Sequence, residues 1–133
     1  MIRKIALITS IVLVWFSNRI GGEFMRIYYI PSRVKTYTPV TINDIEKRAF
    51  YRFEVPADLQ LSIKLISILE QENYGDFNDK MVRIKIQRED KNYYIDSKGN
   101  VKGPIKISKG NMENIEKIIN EMIVKYKIKK IKR

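Results

Sequence analysis

A chain of 133 residues with 44% apolar side chains has room for one globular core and is too apolar to be disordered. The net charge of +11 favours an anionic partner (nucleic acid, a lipid surface or an acidic protein), although 15 acids interspersed with 26 bases also describe a plain solvated, lysine-rich surface. The absence of cysteine and histidine excludes disulfides, thiolate nucleophiles, Cys- or His-ligated metals and His-based triads.

The first 22 residues stand apart. Arg3 and Lys4 precede an uncharged run of 12 residues at positions 5–16, a length that suits the core of a signal peptide and falls short of a comfortable membrane span. Ser17, Gly21 and Gly22 are small residues near a cleavage site, but Ile20 would occupy the −3 position for cleavage after Gly22. The alternative is an uncleaved signal anchor over residues 5–20, with Arg3 and Lys4 cytoplasmic and Arg19 at the far interface. Either reading makes the remainder periplasmic or anchored to the inner membrane. A true start at Met25 would make it cytoplasmic. This segment carries Arg3, Lys4 and Arg19 and no acid, so the domain at residues 23–133 keeps a charge of +8.

Residues 24–30 are β-branched and aromatic and stop at Pro31, which predicts a first strand. If that strand lies at a sheet edge, it offers a surface for pairing with another chain. Residues 32–38 form an irregular basic stretch closed by Pro39. Thr41 is a good N-cap and Asp44 a reciprocal partner for a short helix over 42–48, with Ile42, Ile45 and Ala49 on one face. Residues 50–55 alternate as a half-buried strand. Pro56 opens a helix over 57–72 with the stripe Leu59, Ile63, Ile66 and Leu69, widened by Leu61, Leu65 and Ile68. Gly75 suits a positive φ in the loop at 73–79. Residues 81–87 are the cleanest strand, and residues 93–95 return as a hairpin. Residues 105–107 suit an edge strand after Pro104. Ser108 or Asn111 caps a last helix with Met112, Ile115, Ile118, Ile119, Met122, Ile123 and Tyr126 at helical spacing. The expected fold is therefore α+β: an antiparallel sheet of four to five strands with two long helices on one face, preceded by an N-terminal hydrophobic helix.

Three groups of residues carry candidate chemistry. The basic tail at 125–133 offers Lys127, Lys129, Lys130, Lys132 and Arg133 as an anion-binding site; the plain alternative is a solvated helix end whose lysines complement the helix dipole. Its lysines are not the arginines and stacking aromatics of a nucleic-acid reader, which argues against nucleic acid. Tyrosines on the predicted strands, at 28, 29, 51, 93 and 94, fall beside arginines and lysines. Paired Tyr-Tyr steps put one ring inward and one outward. Cross-strand packing explains most such rings, while Tyr29, Arg33, Tyr37, Arg52, Arg83, Lys85 and Tyr94 are the candidates for a partner-binding face. Asp76, Asn78 and Asp79 lack the ligand spacing of an EF-hand loop. No metal, cofactor or catalytic residue is expected.

The stretches Met25-Arg-Ile-Tyr-Tyr-Ile-Pro31, Tyr37-Thr-Pro-Val-Thr-x-x-Asp-Ile-Glu46 and Tyr93-Tyr-Ile-Asp-x-x-Gly-x-Val101 resemble those of small bacterial immunity-type proteins encoded beside Rhs-type or contact-dependent toxins. The resemblance covers most of residues 25–120. It implies a non-enzymatic module that binds and neutralises a cognate toxin as a heterodimer. Immunity to a nuclease is usually acidic, so the charge of +11 departs from that pattern and favours a target acting in the envelope. Membrane association through residues 5–16 fits the same setting. The competing expectation is a basic protein that binds nucleic acid or anionic membrane.

Overall fold

A computed structural model describes residues 23–71 and 74–131. The leader at 1–22, with its expected hydrophobic helix, and Lys132 and Arg133 lie outside the described residues. Among the described residues, no helix is long and apolar enough to cross a membrane.

The fold is α+β. Six strands, β1 (Phe24–Tyr29), β2 (Tyr51–Pro56), β3 (Val82–Arg88), β4 (Lys91–Asp96), β5 (Val101–Lys102) and β6 (Ile107–Ser108), form one antiparallel sheet in the order β2-β1-β3-β4-β5-β6. The helices are α1 (Ile45–Arg48), α2 (Gln60–Leu69) and α3 (Met112–Lys125). Two points correct the sequence expectation. Among the described residues, 101–108 fold as a hairpin that pairs Val101 with Ser108 and Lys102 with Ile107, so Ile105 sits in the turn and not in an edge strand. The first strand is also internal, flanked by β2 and β3, and is not an edge.

Alternation along β1 sorts its side chains to two faces. Met25, Ile27 and Tyr29 join Ile84 and Ile86 of β3 beneath α2 and α3, where Leu65, Leu69, Ile115, Ile119 and Met122 complete the main core. Each buried Leu or Ile there is worth roughly 1.5–3 kcal/mol. The opposite face carries a second cluster, Tyr28, Ile30, Val40, Ile45, Ala49 and Val82, covered by α1 and the segment before it. The sheet is thus covered on both faces at the end where β1 finishes.

The long middle helix is shorter than expected. Residues 57–59 are not helical: the Ala57 N–H donates to the Glu23 carbonyl, and the Ser62 hydroxyl donates to the Pro56 carbonyl at 2.7 Å. Its buried face is Leu61, Ser62, Leu65 and Leu69, and Ile63 is 56% exposed. At about 100° per residue, Ile63 points roughly 200° away from both Leu61 and Leu65, so it cannot share their face. The short helix likewise begins at Ile45, after a turn in which the Thr41 hydroxyl donates to the Asp44 carboxylate at 3.0 Å. Gly75 does not adopt a positive φ. It is required because a Cβ there would come within 2.6 Å of the Ser108 backbone. Gly99 does take the left-handed region, at φ 92, in a turn organised by Asp96. That buried carboxylate accepts from the amides of Asn78, Lys98 and Asn100.

Asn111 caps α3, its side chain accepting from the Asn114 amide at 3.1 Å. The helix does not run on into the tail. Lys127 takes φ 55, the Ile128 N–H reaches back to the Ile123 carbonyl at 2.9 Å, and that of Lys127 reaches Val124. This is a Schellman closure with lysine where glycine is usual. Beyond it, the Ile131 N–H donates to the Phe50 carbonyl at 2.7 Å, so the tail is strapped to the start of β2.

Candidate protein-binding site

Residues 32–39 leave the end of β1 with no regular structure, and three long-range anchors hold them. Glu116 of α3 receives the Ser32 amide at 2.9 Å, the Ser32 hydroxyl at 2.5 Å and the Tyr29 hydroxyl at 2.7 Å. Arg83 of β3 donates through Nη1 to the Val34 carbonyl at 2.9 Å. Arg48, at the end of α1, donates to the carbonyls of Thr38 (3.3 Å) and Pro39 (2.8 Å). Val34 packs on the second cluster, so the segment alternates: 34 points in, while Arg33, Lys35 and Tyr37 are exposed, Tyr37 at 93%.

The electrostatics follow from this wiring. Burial alone would raise the pKa of Glu116, but the Ser32 hydroxyl and amide, the Tyr29 hydroxyl and the Arg33 charge outweigh it and hold the carboxyl below its ordinary range. Burial and the adjacent Glu116 carboxylate push Tyr29 well above the usual phenol value, so it stays a neutral donor. Burial, with Arg48 nearby, lowers Arg83 from its ordinary value without discharging it.

The expected partner residues divide. Arg33 and Tyr37 are displayed together on the pinned loop. Tyr29 is a correction: its ring is fully buried in the main core, stacked on Tyr51 at 5.9 Å, and Tyr28 is the ring on the opposite face. Arg83 is also corrected, being 6% exposed at the register shift between Val82 and Ile84, with its guanidinium on the Val34 carbonyl of the loop. Lys85 is 8% exposed and forms an ion pair with Glu46 of α1. Its Nζ sits 5.7 Å from the Tyr28 ring centroid and 5.6 Å from that of Tyr94. Burial depresses the Lys85 pKa, but the Glu46 carboxylate and the two tyrosines more than reverse that. Lys85 and Tyr94 therefore hold α1 on the sheet. Arg52 is exposed on β2, paired with Tyr28, and is not among the residues that hold the loop.

In the tail, Lys127, Lys129 and Lys130 are exposed, and the Lys130 Nζ lies 5.6 Å from the Phe50 ring centroid. Among the described residues, no group of three or more acidic side chains is placed to hold a metal. The residues missed by sequence reasoning are Ser32, Arg48 and Glu116. Glu116 borders the apolar stripe of α3 between Ile115 and Ile119, where the helical pattern allows either solvent or a buried partner, and Ser32 lies 84 residues away. Arg48 carries one legible signal, a cation in the last turn of a helix, but that points to its own helix end and not to Pro39. Comparison with protein-family models, with curated proteins and with solved structures finds no match.

Proposed function

We propose that the chain is a non-enzymatic binding module of immunity type, which neutralises a cognate toxin by covering its active surface. The observation that carries this reading is the loop at 32–39: its backbone is pinned by Glu116, Arg83 and Arg48, while its outward side chains are Arg33, Lys35 and Tyr37. A loop ordered before binding loses less entropy on association. Exposed tyrosine and arginine are the residue types that most often dominate binding energy. The export or anchor signal in residues 1–22 supports a target in the envelope.

The test is a pull-down from membrane and envelope fractions with full-length, carboxy-terminally tagged protein. One stoichiometric, salt-resistant protein is expected. Tyr37→Ala or Arg33→Ala weakens its capture by at least about tenfold, as for hot-spot residues. Recovery of salt-labile nucleic acid alone overturns the reading.

A second reading has one observation behind it: the strap from Ile131 to Phe50 holds the basic tail on the domain and leaves Lys127, Lys129 and Lys130 exposed. It makes the chain a binder of anionic polymer or lipid. That binding falls steeply with salt and is lost on removing residues 127–133.

A further inference from the structure

The strand register puts two features at the same end of the sheet. Met25 pairs with Arg88, Arg88 pairs with Lys91, and Lys91 shares a hollow with Ile105 in the β5–β6 turn. Glu23, the residue that follows the leader, is tied to this end by Arg88, whose Nε donates to it at 2.5 Å. The loop at 32–39 leaves the opposite end of β1. On the anchor reading, the anchor segment ends at Ile20, with Arg19 at the interface. Three extended residues reach about 10 Å, so this end of the domain stands within that distance of the membrane.

The turn at this end carries an unpartnered apolar tip. Ile105 is 96% exposed and Ile107 38%, and exposed Tyr74 lines the same hollow. Lys91, Lys102 and Lys106 are the exposed cations beside the tip. The acidic turn Glu89–Asp90 lies between Glu23 and the tip, three strand spacings or about 14 Å across, and restricts an anionic surface to the Ile105 side. An apolar tip ringed by lysines and a tyrosine matches the interface of an anionic bilayer.

We infer that the β5–β6 turn is a second membrane contact: Ile105 enters the interface of an anionic bilayer, and Lys91 and Lys102 pair with its headgroups. This rests on the anchor reading of residues 1–22. The contact fixes the orientation of the domain and points the loop at 32–39 away from the lipid.

Because the chain has no cysteine, Ile105→Cys places one fluorophore in the full-length protein. Asn43→Cys is the control, in a hollow shared with Asp79 and Lys80 just before β3, at the far end. Both are reconstituted in phosphatidylglycerol vesicles containing a lipid-borne quencher. The expected result is quenching at 105 and none at 43. Changing Lys91 or Lys102 to Gln lowers the ratio of docked to undocked probe about fivefold for each lysine. Vesicle-bound protein with an unquenched probe at 105 overturns the contact and leaves the anchor standing. Protein that fails to float with vesicles overturns both. A probe at 105 that is bright but inaccessible to the lipid quencher means that protein covers the tip, a second copy or the leader itself, and also overturns the contact.

Discussion

Replacing Glu116 with glutamine tests the wiring of the loop directly. The carboxylate accepts three hydrogen bonds, from the Tyr29 hydroxyl and from the amide and hydroxyl of Ser32. A hydrogen bond to a charged group contributes about 1.5–3 kcal/mol. Glutamine keeps one acceptor oxygen but turns an NH2 group toward donors, and Glu116 is half-buried, so we expect a loss of about 2–3 kcal/mol. With a urea m-value of about 1–3 kcal/mol/M, the unfolding midpoint, followed by circular dichroism, falls by about 0.7–3 M. The pH dependence has a definite sign. Glu116 is held below its ordinary range when folded, so its stabilisation is complete above the unfolded carboxyl pKa of about 4.3 and disappears as pH falls through the folded value. The gap between wild type and Glu116→Gln should therefore be full at pH 7 and close in acid. A gap that is equally large at pH 7 and pH 3, or a loss below about 0.5 kcal/mol at pH 7, would refute this account of the carboxylate.

Four further substitutions separate the structure from its simpler alternatives. Leu65→Ala, at a fully buried position, should cost about 2–5 kcal/mol, whereas Ile63→Ala should stay within about 0.5 kcal/mol; equal losses in urea titrations would restore the stripe through residue 63. Gly99→Ala combines φ 92 with a Cβ only 2.5 Å from the Met112 amide nitrogen, so it should destabilise by more than about 1–2 kcal/mol, and an unchanged midpoint would contradict the turn. Lys127→Gly should stabilise by about 0.5–1 kcal/mol, read as a rise in melting temperature of a few degrees, because only the left-handed conformation of this residue is being relieved; a lower melting temperature would disprove the Schellman closure.

What could be read from the chain was whatever repeats locally. The alternation of residues 81–87 and the 3–4 spacing of Ile115, Ile118, Ile119 and Met122 identify β3 and α3, because each pattern has one period and one dominant face. Period two says that Tyr28 and Tyr29 point opposite ways, but not which meets the helices. That depends on the register of Tyr29 with Ile84 and on Glu116, 87 residues away from Tyr29. Lys85 looks like a solvent-facing residue because its neighbours alternate with it. It is buried because α1 lands on that face and brings Glu46 across 39 residues. Of the loop that forms the candidate site, its irregularity and its exposed Arg33 and Tyr37 were legible. Its three anchors were not, since each joins residues with no pattern between them.

The strap between Ile131 and Phe50 also bears on the order in which the protein is made. β1 and β2 can pair early, and β3 adds to β1 once the middle of the chain has emerged, but β2 has no second neighbour among the described residues. The bond that covers its beginning spans 131 − 50 = 81 residues and needs a residue made after every described strand and helix. Until then the start of this edge strand is open to pairing with other nascent chains, the hazard that exposed strand edges carry. A chain that stalls or is cut after α3 would contain every described strand and helix and still lack this cover.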